Sequence, residues 1–125
     1  MDQLAREGPR FTQFYAQPVC GPSRSALLTG RYPLRSQGWG MPATEITWAE
    51  LMTTAGYQTA CIGKWDVSNR KAIIERMPNA QGFQYYFGAL GANDGGKVTF
   101  HENNMPAGST TDMGGLTTLY TNKAI

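Results

Sequence analysis

Histidine and cysteine are scarce in this 125-residue chain, which has one histidine, His101, and two cysteines, Cys20 and Cys61. Two cysteines are too few for a disulfide scaffold; they leave one pairing open and identify no compartment. No stretch approaches the ~18 consecutive apolar residues of a membrane-spanning helix. The opening MDQLAREG lacks the apolar core of an export signal, so the sequence reads as soluble, and any such signal would lie upstream. Nor is charge of one sign concentrated. Lysine and arginine number 11, aspartate and glutamate 9, for a net charge of +2 spread without a run. Without a basic face, nucleic acid is excluded as an expected partner. The sequence contains no internal repeat.

What is present is globular but rich in loops: 41% hydrophobic and 16% charged, with 15 glycines and 7 prolines. The length suits one ordinary domain. Residues 1–7 read as the last turns of a helix closed by Gly8-Pro9. Arg10–Gln17 (RFTQFYAQ) places aromatic and β-branched residues on both faces, which predicts a strand buried on both sides. A helix is expected over Ser23–Thr29 with its stop at Gly30, which sets Cys20 at its mouth. Residues 31–44 read as loop. Thr47 and Glu50 have capping-box spacing ahead of a helix that stops at Gly56. Tyr57–Ile62 predicts a buried strand leading into Gly63-Lys64-Trp65, residues 70–77 a short helix, and Phe83–Phe87 and Val98–His101 short strands. Strand, helix, strand order predicts an α/β layered fold.

The segment most charged with chemistry is Cys20-Gly21-Pro22-Ser23-Arg24, followed after three residues by Leu28-Thr29-Gly30-Arg31. A helix N-terminus directs backbone N–H groups toward an anion, and Arg24, one turn on, can bring a guanidinium back to the same place. A thiolate phosphatase would need its arginine later than Arg24, and position 26 is alanine. A phosphate-binding P-loop would close on Gly-Lys-Ser or Gly-Lys-Thr, which is absent.

Cys20–Arg31 meets every specified position of the type I sulfatase signature, and Gly56-Tyr57-Gln58-Thr59 leading to Gly63-Lys64-Trp65 resembles the second signature of that family. MDQLAREG, RFTQFYAQPVC and LYTNKAI are similar to the flanking sulfatase segments, the last to a helix start, so the resemblance spans nearly the whole chain. It implies an alkaline-phosphatase-like α/β fold with a mixed sheet flanked by helices. It also implies that residues 1–125 are an internal portion of the N-terminal catalytic domain, lacking the first strand and the C-terminal part.

The activity implied is sulfuric ester hydrolysis. Cys20 would be oxidised to formylglycine by the formylglycine-generating enzyme and would serve as nucleophile and metal ligand. A hydrated aldehyde carries one hydroxyl to attack sulfur and a second whose deprotonation expels sulfate. Arg24 would stabilise the nucleophile and Lys64 would bind the sulfate, a task suited to an ammonium point charge. Where the family has histidine after Gly-Lys-Trp, this chain has Asp66. A carboxylate can act as a base, but its charge repels sulfate unless a cation lies close. His101 matches no motif and reads as structural.

The family's divalent cation, usually calcium, is held by hard oxygen ligands. The resemblance places one aspartate pair before residue 1 and another pair after residue 125, with a further chain as the candidate to complete the sheet. The family is often exported. The alternative reading is a non-catalytic sulfatase-derived fragment or structural subunit, favoured by Asp66 and the missing metal ligands.

Overall fold

Glycines and prolines cut the chain into short elements, and in the computed structural model, which describes residues 2–125, these elements stack as helices on both faces of one small sheet. Helix α1 (Asp2–Glu7) closes where the Gly8 N–H reaches the Leu4 carbonyl; Met1 lies outside the described residues. Helix α2 (Cys20–Thr29) starts three residues before the predicted Ser23, so Cys20 belongs to its first turn. Gly30, at φ 66°, closes it in the left-handed region that glycine enters without penalty. The expected loop 31–44 contains a single short turn of helix, α3 (Pro33–Ser36), started by proline. Helix α4 (Trp48–Thr54) has the complete capping box: the Glu50 N–H donates to the Thr47 hydroxyl and the Thr47 N–H to the Glu50 carboxylate.

Strand β1 (Ala60–Ile62) runs parallel to β2 (Tyr85–Gly88). Strands β3 (Val98–Glu102) and β4 (Met105–Thr110) continue antiparallel, giving the order β1-β2-β3-β4. This is the mixed sheet flanked by helices that the sequence predicts. Strand β4 was not foreseen, because MPAGST has no alternation and carries proline and glycine. It forms because Asn103, at φ 52°, turns the chain back onto β3. The short helix expected over 70–77 is a 3-10 turn at Ile74–Arg76, followed by a second at Pro78–Gln81. Proline at 78 disfavours a longer helix across that point.

One expectation fails outright. Residues 10–17 form no strand, and Phe11, Phe14 and Tyr15 are 73%, 72% and 84% exposed. A strand buried on both faces needs ladder partners and covering layers, and the described sheet ends at β1 without pairing this segment.

Successive residues of a strand face opposite sides of a sheet, and β2 divides the core accordingly. Tyr86 packs with Leu28, Ala49, Trp65 and Phe83 beneath α2 and α4. Phe87 packs with Val98 and Phe100 on the other side, against helix α5 (Leu116–Ala124) through Leu119 and Tyr120. Gly88 permits the close approach of β2 to the chain after β1, since a Cβ there would strike the Gly63 carbonyl. No described helix is long and apolar enough to cross a membrane.

Candidate active site

The site forms where two chain segments meet. Helix α2 opens with Val19 in extended conformation and no side-chain cap, so the first N–H groups of the helix remain available beside Cys20. The Ser23 hydroxyl fixes this entry by donating to the carbonyls of Gln17 and Val19. The second segment follows β1, and its ladder persists past the strand. The Gly63 N–H donates to the Phe87 carbonyl, the Trp65 N–H to that of Ala89 and the Asp66 N–H to that of Leu90. Trp65 is thereby fixed in the core, its indole donating to the Arg76 carbonyl at 2.8 Å. Lys64 and Asp66, its neighbours on either side, are delivered to Cys20.

Beside Cys20 stand Lys64, Asp66 and Arg70. Asp66 is fully buried, 0% exposed, and its two oxygens meet two cations and one indole. Lys64 Nζ lies 3.1 Å from Oδ2, Trp39 Nε1 donates to the same oxygen at 3.1 Å, and Arg70 Nε donates to Oδ1 at 2.9 Å. Burial opposes ionisation of Asp66, but the hydrogen bonds from Cys20, Arg70, Lys64 and Trp39 outweigh it and hold the carboxyl below the usual carboxylate range. Burial likewise opposes the Lys64 charge, and its hydrogen bonds to Cys20 and Asp66 prevail, raising its pKa. Asp66 is therefore a persistently ionised, weakly basic group with two cations against it. The charge that would repel sulfate is already compensated.

Arg24 occupies the expected turn of α2, yet its guanidinium donates from Nη1 to the Lys64 carbonyl at 2.6 Å. It straps the helix to the second segment, and no hydrogen bond from it to Cys20 occurs among the described residues. The two cysteines are both free. Burial, opposed by the Arg24 charge, pushes the Cys61 thiol up to about 11, which leaves it inert near neutrality. His101 lies on β3 opposite Gly88 and Pro106, outside the Cys20 cluster. Burial lowers its pKa, and its Nδ1 has no partner among the described residues.

Two residues that the motifs did not single out complete the cluster, Trp39 and Arg70. Trp39 lies against Gly21, where any Cβ would meet the indole. The unspecified second position of the signature thus makes room for it. The Asn69 N–H donates to the Trp39 carbonyl at 2.8 Å and Gly40 bridges to Ser68, joining the 37–41 loop to the 66–70 loop. A cavity of about 720 Å³ opens beside Trp39, lined by Val19, Pro22, Tyr32, Leu34 and Asn69 among others.

Formylglycine and a divalent cation meet this site differently. A hydrated, partly ionised aldehyde at position 20 suits a place with helix N–H groups and an excess of positive charge. A cation does not suit the residues at hand. The only carboxylate at the cluster is committed to Lys64 and Arg70, and the described residues contain no group of three or more histidine, cysteine, aspartate or glutamate side chains able to hold a metal.

Against known proteins, the family model described as Sulfatase matches residues 1–124. Arylsulfatase G of Mus musculus is 42% identical over 106 residues, 77% of this chain and 20% of that protein. Steryl-sulfatase of Homo sapiens is 39% identical over 107 residues, 70% of this chain and 18% of that protein. A structure solved in complex with its substrate, D-glucosamine-2-N,6-O-disulfate, is 28% identical with a TM-score of 0.64, and the match covers 86% of this chain and 22% of that one. The chain spans about a fifth of the length of the curated relatives it matches.

Proposed function

The chain belongs to the sulfatase family, and from that premise we propose that the protein hydrolyses sulfate esters with Cys20, matured to formylglycine, as nucleophile. The observation that carries the reading is the meeting of Cys20, at the first turn of α2, with Lys64, two signature residues brought together from distant parts of the chain. Residues 1–125 are proposed as part of the N-terminal catalytic domain of that fold.

Formylglycine supplies a hydroxyl nucleophile and a means of releasing sulfate afterwards. The chain's own residues supply the rest. Lys64 neutralises charge on the sulfate as the ester bond breaks. The uncapped N–H groups of α2 favour the anion at the same place. Arg24 keeps the Lys64 segment against α2, so that nucleophile and cation stay in register. Asp66 holds Lys64 in place, and its depressed pKa makes it a poor proton acceptor. The cavity beside Trp39 is the candidate seat for the alcohol part of the ester. A divalent cation, calcium in the expected case, would take most of its ligands from outside these residues. The formylglycine-generating enzyme is the proposed maturation partner, and the unpaired outer edge of β1 the place where a further strand would complete the sheet.

A second reading, a non-catalytic member that keeps the framework, is favoured by Asp66 in the place of the motif histidine. The test is the mass of the peptide spanning Cys20, from protein made in a host with the maturation enzyme, together with turnover of a chromogenic aryl sulfate. A loss of about 18 Da, the thiol-to-aldehyde change, with turnover abolished by Cys20→Ala is the expected result. An unmodified thiol would overturn the maturation and leave the non-catalytic reading.

A further inference from the structure

Arg70 belongs to neither signature, yet it stands at the nucleophile. Its Nε donates to Asp66 Oδ1 at 2.9 Å, and the other polar side chain that its guanidinium meets is Cys20. Its side chain is 52% exposed. Beside it lies a cleft of about 340 Å³ lined by Trp39, Asn69 and Arg70. The guanidinium stands 6.0 Å from the centre of the Trp39 ring, which limits where it can swing.

The backbone is committed to this arrangement. Asp66, Asn69 and Arg70 have φ of 62°, 54° and 57°, in the left-handed region. Aspartate and asparagine tolerate it, whereas for arginine it is unfavourable. The Asn69 N–H bond to Trp39 and the Gly40–Ser68 bridge hold the loop there. A long cationic side chain is kept in an unfavourable backbone state beside Cys20.

Charge decides what the guanidinium is for. Lys64 and Arg70 lie beside Cys20, and Asp66 is the one carboxylate among them. Positive charge remains uncompensated beside Cys20. A tetrahedral oxyanion presents several oxygens, and a planar fork engages two of them where an ammonium engages one.

We propose that Arg70 is a second cationic contact for the sulfate group, aimed by Asp66 and sharing the anion with Lys64. This rests on the proposed sulfatase reading but adds to the site a residue outside both signatures. It also accounts for a carboxylate where the family has histidine: Asp66 serves as the fixed counter-ion that orients a cation from outside the motif.

The experiment is a titration of the full chain, with Cys20 unmodified, by inorganic sulfate at constant ionic strength set with chloride. Binding is followed by the NMR resonances of the Trp39 indole N–H and the Arg70 Nε–H. Both are expected to move with one dissociation constant, and Arg70→Gln is expected to weaken binding at least tenfold and to abolish the indole shift. Unchanged affinity in Arg70→Gln overturns the proposal. So does an Arg70 resonance that stays still while wild-type protein binds sulfate, a result that does not depend on the variant folding. No sulfate binding by wild-type protein overturns it too. Because the titration needs neither formylglycine nor turnover, its failure is separate from a failure of maturation at Cys20.

Discussion

Two stretches of similar character lead into the two halves of the site and fold differently. Residues 10–17 precede Cys20, and residues 57–62 precede Lys64. Both mix aromatic, β-branched and small residues. Only the last three residues of the second become β1, partly buried rather than buried, because Tyr85–Phe87 lie parallel to them and the Thr59 hydroxyl donates to the Gly82 carbonyl at 2.6 Å while accepting from the Gln84 N–H. The first has no ladder partner and stays irregular, with its aromatic rings in solvent. Local propensity was present in both, but a strand is a property of a pair.

The comparison is broken most forcefully under β1. Phe83 is buried edge-on against Trp65 and Trp48, ring centres 6.0 and 5.7 Å away. Phe83→Ala is expected to cost about 3–5 kcal/mol in urea unfolding; a loss under about 1 kcal/mol would mean this layer is not the packed one. Asp66→Ala comes next, at about 3 kcal/mol near pH 7, since it strands the partly buried Lys64 and puts alanine at a positive φ. The folded-state pKa of Asp66 is depressed, so its contribution is complete above the ordinary carboxylate range and is lost as pH falls through the lowered value. The gap between wild type and variant should therefore narrow in unfolding curves taken from pH 7 toward pH 2. A constant gap would contradict the ion-pair account.

Thr59→Val sharpens the comparison within β1 itself. It keeps the shape but removes the hydroxyl's bonds to the Gly82 carbonyl and the Gln84 N–H, which retain the Thr53 hydroxyl and the Thr59 carbonyl as partners, for an expected loss of about 1 kcal/mol by denaturant titration. Phe14→Ala, in the unpaired stretch, should change stability by less than about 0.5 kcal/mol. Brief chymotrypsin treatment should cut at Phe11, Phe14 or Tyr15 before Tyr86. A large effect of Phe14→Ala would show that the segment packs after all.

The helices were legible because their signals are local. The Thr47–Glu50 capping box, the stop at Gly30 and the proline and glycine after α1 each act within one turn, so α4, α2 and α1 fall near their predicted bounds. β4 was illegible because its formation depends on a turn at Asn103 and on β3 rather than on its own residues. At the site, Cys20, Arg24, Lys64 and Asp66 could be named from motifs. Trp39 and Arg70 could not: Trp39 seats against the Cβ-less Gly21, and Arg70 faces Asp66 across a loop whose conformation no short-range spacing encodes.

The sequence by itself determined the family and named Cys20, Arg24 and Lys64 as candidates, since the two signatures are contiguous strings. Which groups stand together was decided only by the tertiary structure. That Arg24 straps Lys64 rather than binding Cys20, that Asp66 is neutralised by two cations, and that residues 10–17 remain unpaired all depend on contacts between distant segments. Such contacts follow from burial and ladder pairing, which a residue's near neighbours do not specify.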